Sequence, residues 1–246
     1  MKRYFYLFFL PLLLNSLQDT FSQKANSIQS PNGNFSITIQ PAKDGSLTYS
    51  LVAWKQTVIA NSPMGFAAGK EVVVPSLGWT IENSEQHTEN SVWKPVWGKR
   101  SAVPDEYNQL TLNLSCSESS IISHLRLEVR LYNDGAAFRY CIPAEEKNNL
   151  TATSELTEFR FAGDYTAWFY NGENANIGPE KISESEGKRF PVMTVKAAND
   201  LYLAIHEADL ETGDPLVLQS QKGNTAFSVV SNPGKLEAGY HSAWRV

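Results

Sequence analysis

Short runs in which apolar and polar residues alternate occupy almost the whole chain, and they exclude most folds. FSITIQ (35–40) alternates after the turn signal SPNGN, and LTYSLVAW (47–54) and TVIANS (57–62) flank a tight connection at Lys55-Gln56. Successive side chains of a strand point to opposite faces, so each run describes a strand with one face buried. LGWTIEN (77–83), LTLNLSC (110–116), HLRLEVRLY (124–132) and AAFRYCI (136–142) continue the pattern, with NDG (133–135) as a turn. LTEFRFAG (156–163), YTAWFYN (165–171), PVMTVKA (191–197), LYLAIHEA (201–208), PLVLQS (215–220) and TAFSVVS (225–231) complete it. No stretch carries a helical apolar stripe. The class is all-β, and the strands are too many for one layer, which predicts a double-sheet sandwich.

Two stretches interrupt the alternation. SEQHTENSVWKPVWGKRSAVPDEYNQ (84–109) reads as a long polar loop that carries Trp93 and Trp97, with packing as the expected role of both rings. NGENANIGPEKISESEGKRF (171–190), rich in Gly, Asn and Glu, reads as a separator between strands.

The first 22 residues are a different material. Met1-Lys2-Arg3 is followed by the apolar run YFYLFFLPLLL (4–14) and a polar exit, the layout of a secretory signal peptide cleaved near Ser22 or Gln23. The apolar run is too short for a membrane span. The expectation is a periplasmic or secreted protein with no membrane association after cleavage. Loss of Lys2, Arg3 and Asp19 takes the formal charge from −5 to −6. An acidic chain without basic blocks excludes nucleic acid as a partner, since phosphate backbones require a cationic surface.

Export permits a disulfide between Cys116 and Cys141, the two cysteines of the chain. In a meander of the three strands that hold them, Cys141 faces the middle strand near Leu127 and Cys116 lies at its beginning. The two are then about 20 Å apart at roughly 3.3 Å per residue, beyond disulfide reach. Two buried free thiols are expected.

Nucleophile elbows, P-loops, HExxH and CxxC motifs are absent. His206-Glu207 lacks the second histidine of a zinc motif and sits on a strand. Glycosidic hydrolysis needs two opposed carboxylates. The scattered acids cannot be paired from sequence, and Glu155 and Glu158 are expected to face solvent or meet Arg160. Glu207 stands apart because it ends an apolar strand and precedes Ala208, not a turn residue. Alternation places His206 on the opposite face from Glu207.

Several segments together resemble one family. SPNGNFSITI with YSLVAWKQTVIANSPMGF, WKPVWGKRSAVPDEYNQLTLNL with LEVRLYNDGAAFRYCIP, ELTEFRFAGDYTAWF, LYLAIHEADL and the terminal SAWRV keep the order of the N-terminal domain of glycoside hydrolase family 97. The resemblance covers residues 28–246, and NDGAAFRY and AIHEADL are its most specific pieces. It implies a β-supersandwich, galactose-mutarotase-like, that packs on a catalytic (β/α)8 barrel. The family comprises inverting α-glucosidases and retaining α-galactosidases that depend on Ca2+. The glutamate of its I-x-E-A segment joins barrel glutamates in holding the ion, and that position is Glu207 here. Hard carboxylate oxygens at a rigid strand end suit Ca2+.

Ser242-Ala243-Trp244-Arg245 stands where the family has Thr-Pro-Trp-Arg. The resemblance places the barrel, with the catalytic acid and base, outside these 246 residues. The chain is therefore expected to hydrolyse nothing alone, to hold no catalytic residues, and to leave an open sheet edge with Trp244 short of packing partners. The leading expectation is an N-terminal domain that contributes Glu207 to a shared Ca2+ site. Trp244 and Arg245 are its substrate-binding candidates, toward an α-glucoside or α-galactoside oligosaccharide. The alternatives are a free-standing carbohydrate-binding or mutarotase-like module, with His87, His124, His206 and Glu207 as acid–base candidates, or a gene fragment without function.

Overall fold

The computed structural model describes residues 26–42, 46–67, 79–115, 123–147, 150–152, 154–172, 176–211, 215–231 and 234–246. The signal-like segment 1–22 and Cys116 lie outside these residues. Among these residues antiparallel strands dominate, and the short helices Ile182–Glu184 and Ala198–Asp200 are 3-10 turns.

Strands Asn26–Gln29, Phe35–Pro41, Leu47–Ala53 and Gln56–Met64 form a four-stranded meander. Alternation acts as the sequence predicts: Phe35, Ile37 and Ile39 are buried while Ser36 and Thr38 are only partly covered. The hairpin between the third and fourth strands turns at Trp54 (φ 47°) and Lys55 (φ 65°), one residue earlier than expected. Two successive left-handed residues give the twist that a two-residue hairpin requires.

A six-stranded sheet runs in the order Glu207–Ala208, Trp244–Arg245, Ala136–Cys141, His124–Tyr132, Val103–Ser115, Thr80–Trp93. Leu125, Leu127, Val129 and Leu131 face the core, and Arg126, Glu128 and Arg130 form the outer face. A seven-stranded sheet runs Glu158–Arg160, Ala226–Val229, Leu218–Ser220, Gly187–Lys196, Thr166–Tyr170, Asn176–Lys181, with Tyr202–Ile205 also paired to Gly187–Lys196. Small pairings, Phe66–Ala67 with Ser154–Glu155 and Leu150–Ala152 with Gly234–Leu236, tie the layers together. One contiguous apolar core joins all three large sheets.

The sequence expectation fails at both interruptions. The segment read as a long loop is a hairpin, in which Thr80–Trp93 pairs with Val103–Ser115 from Thr80↔Ser115 to Trp93↔Val103. Nearly every residue of its first strand is exposed, so no apolar alternation marks it. Trp93 and Trp97 do not pack: they are 60% and 88% exposed at the hairpin tip. The segment read as a separator holds the strand Asn176–Lys181, the edge of the largest sheet. Cys141 is a free thiol opposite Arg126, next to the expected Leu127, but only partly buried.

Candidate functional site

The run that reads as one strand from Leu201 to Ala208 is two strands in different sheets. Tyr202–Ile205 belongs to the seven-stranded sheet and Glu207–Ala208 to the six-stranded sheet, and the chain crosses between them at His206. His206 therefore does not oppose Glu207 across one strand. Its Nδ1 lies 2.8 Å from the Glu207 carbonyl oxygen, and its backbone exchanges two hydrogen bonds with Val246, each 2.9 Å.

Glu207 stands at this crossing with its side chain 18% exposed. The Leu216 amide donates to its Oε2 at 2.7 Å, and Arg245 Nη1 lies 3.6 Å from the same oxygen. Arg245 sits opposite Glu207 in the strand ladder, so the backbone itself brings them together.

Arg245 is buried and its main partner is Glu155, which sequence reasoning placed in solvent. Arg245 Nε donates to Glu155 Oε1 at 3.1 Å and Nη2 donates to Oε2, with both side chains almost fully enclosed. Burial alone would lower the guanidinium pKa, but the facing Glu155, with Glu207 beyond it, outweighs this and raises it. Glu155 is 1% exposed, in a short strand where it pairs with Phe66 and meets the Arg245 guanidinium. Glu158 does meet Arg160, at 2.9 Å. Beside the pair, Tyr140 OH accepts from the Gly65 amide at 3.0 Å and lies 2.8 Å from Thr157 Oγ1.

Trp244 does not lack partners. It is 7% exposed, with the guanidinium carbons of Arg130 and Arg139 at 4.6 and 4.5 Å from its ring centre. Arg139 is itself held by Glu128 at 2.8 Å and Asp209 at 3.2 Å. Aromatic faces attract cations, which fixes the ring and the arginines together. A cleft of about 520 Å³ opens beside these residues, lined by Trp244, Arg245, Arg130, Tyr49, Phe138 and Ile205 among others.

The mutarotase candidates do not converge. Glu207, Arg245, Phe138, Val129, Leu110 and Gln86 stand in one cross-strand row, which puts His87, beside Gln86, at the opposite edge of the sheet. Five strand spacings of roughly 4.8 Å separate it from Glu207, about 24 Å. His124 stands opposite Ser115, far along the strands from that row.

Among the described residues no group of three or more His, Cys, Asp or Glu side chains is placed to hold a metal ion. Ca2+ takes six to eight oxygens, so Glu207 fits as one ligand of a larger set and not as a site in itself.

Comparison with known proteins gives a consistent answer. The family described as Glycosyl-hydrolase 97 N-terminal matches residues 28–246. A retaining alpha-galactosidase of Bacteroides thetaiotaomicron is 25% identical over 252 residues, covering 95% of this chain and 36% of that protein. A Glycoside Hydrolase Family 97 enzyme from Pseudoalteromonas sp. strain K8, solved with acarbose, superposes with a TM-score of 0.77 at 25% identity, covering 89% of this chain and 35% of that one. A beta-arabinopyranosidase structure shares the fold, with a TM-score of 0.75 at 16% identity. The chain thus spans about a third of the length of the relatives it matches. With the sandwich, the order of its segments and the family match in agreement, the chain belongs to the glycoside hydrolase family 97 N-terminal domain family.

Proposed function

We propose that the chain serves as the N-terminal module of an exported α-glycosidase, acting on α-glucosides or α-galactosides, in which Glu207 supplies one carboxylate to a Ca2+ ion shared with a catalytic barrel. The observation that carries this reading is the setting of Glu207. It stands at the crossing between two sheets, held by the Leu216 amide and beside Arg245, with its side chain 18% exposed. Ca2+, when bound, would orient neighbouring carboxylates and polarise water or substrate. The residues of this chain hold and aim that one ligand. The Glu155–Arg245 pair anchors the strand opposite it, with Arg245 on the same face of the sheet as Glu207 and Trp244, the other substrate-binding candidate, on the reverse face. Hydrolysis requires an opposed acid and base, so in this reading the chain alone turns over no glycoside. The segment 1–22 directs it to the periplasm or beyond.

A chimaera in which residues 28–246 replace the matching segment of the Bacteroides relative tests the reading. Calorimetric Ca2+ titration of this chimaera should show Glu207→Gln weakening the ion by at least tenfold, since even loss of an outer-shell partner costs roughly that much. Glu207→Gln keeps an acceptor for Leu216, so the unfolding midpoint should stay where it was. Unchanged Ca2+ affinity in that variant sinks the assignment of Glu207.

A further inference from the structure

Arg245 carries a hydrogen-bond donor without an acceptor. Its Nε and Nη2 are both spent on Glu155, while the enclosed Nη1 finds no hydrogen-bond partner among the described residues. Interiors rarely leave such a group unpaired, because nothing replaces the water it has given up. A carboxylate nevertheless stands beside it. Glu207 Oε2 lies 3.6 Å from Nη1, just beyond hydrogen-bond range.

Both sides of this gap are held from elsewhere. The Leu216 amide donates to Glu207 Oε2 at 2.7 Å. Glu155, on the strand Ser154–Glu155 beside Phe66–Ala67, grips the guanidinium by its Nε–Nη2 edge. A two-point pair of planar groups fixes orientation as well as distance. Ladder register brings Glu207 and Arg245 side by side, so the backbone does not keep them apart. Two carboxylates therefore share one cation, and they share it unequally: Glu155 takes the hydrogen bonds and Glu207 takes none.

We infer that Glu155 is a positioning residue for the Glu207 carboxylate, holding Arg245 off it and leaving its charge to an incoming Ca2+ ion. This deepens the calcium reading and rests on it. Two carboxylates and one guanidinium leave the cluster with one net negative charge. Without the Glu155 charge the cluster is neutral, and the guanidinium is free to turn and close on Glu207. In an enclosed setting that cation would then both occupy the carboxylate and repel a divalent ion. The unpaired Nη1 is thus the cost of keeping Glu207 available.

The chimaera that carries residues 28–246 provides the test. In a crystal structure of its Glu155→Gln variant, Arg245 Nη1 should move to about 2.9 Å from Glu207 Oε2, an ordinary hydrogen bond. A gap that stays open overturns the inference. Calorimetric Ca2+ titration should show Glu155→Gln weakening the ion by about fivefold or more, the lower end of coupling between linked sites. Adding Arg245→Met should return the affinity to within about twofold of the parent, since the competing cation is gone. A merely structural role for Glu155 predicts the opposite, with the double variant as weak as the single or weaker. That result overturns the inference. The double variant leaves no buried charge unpaired, so it also decides the matter where Glu155→Gln alone does not fold. Unchanged affinity in Glu155→Gln, with Glu207→Gln still weakening the ion, removes this inference and spares the calcium reading. No effect of Glu207→Gln removes both.

Discussion

Glu155 and Arg245, ninety residues apart, meet in a two-point ion pair that the interior almost completely encloses. Taking one partner away leaves a buried charge without its counterion, which costs about 3–5 kcal/mol. Denaturant unfolding should show Glu155→Gln and Arg245→Met each destabilising on that scale. The double variant should lose clearly less than their sum, because no unpaired charge remains. Strict additivity would show that the two residues act independently.

Why that pair escaped the sequence, while the fold did not, is instructive. FSITIQ and HLRLEVRLY each bury one face against a core, so period-two alternation writes them plainly. The Thr80–Trp93 strand buries neither face and carries no such mark. Glu155 looks like a surface acid because local pattern cannot show its ladder pairing with Phe66 or its distant partner Arg245. LYLAIHEA reads as one strand because alternation is blind to a change of sheet, which here happens at a single residue, His206. Glu207 stands out in the sequence as the end of an apolar strand, and the family resemblance is what attaches a candidate role to it. Its partners, Arg245 and the Leu216 amide, are set by ladder register and a long-range turn.

The hairpin tip supplies a converse test. Trp97 is 88% exposed, so packing contributes little to it. Trp97→Ser should change unfolding free energy by no more than about 0.5 kcal/mol, the range of ordinary surface changes. A loss of several kcal/mol would restore the packing role that the sequence suggested.

Cys141 should be an inert thiol near neutral pH. Burial, helped by the nearby Glu128 carboxylate, pushes its pKa from 9.0 up to about 11. The thiolate is the reactive form, so native Cys141 in a Cys116→Ser background should react with iodoacetamide at pH 8 on the order of a hundredfold more slowly than in the unfolded chain. The folded state holds this proton more tightly than the unfolded state does. The associated stability is therefore complete below pH 9 and is lost as pH rises toward 11. Equal rates in native and denatured protein would show an accessible thiol.

Tyr140 combines both kinds of effect in one side chain. Its hydroxyl accepts from the Gly65 amide and meets Thr157 Oγ1, so Tyr140→Phe strands two buried polar groups and should cost about 1–3 kcal/mol at pH 7. Burial first, and Glu155 second, hold its phenol well above the ordinary value of 10.0. In the unfolded chain that phenol ionises near 10.0, while in the folded chain it stays neutral. Above that pH the unfolded state has lost a proton that the native state keeps, and stability falls by about 1.4 kcal/mol per pH unit for such a group. Tyr49, pushed upward by its own burial, adds a second contribution of the same sign. Unfolding measured from pH 9 to 11 should therefore steepen beyond pH 10 in the wild-type chain. Tyr140→Phe, although less stable at neutral pH, should show a shallower alkaline slope by about that one-proton amount. Parallel slopes in the two proteins would mean that the Tyr140 phenol already ionises in the folded state.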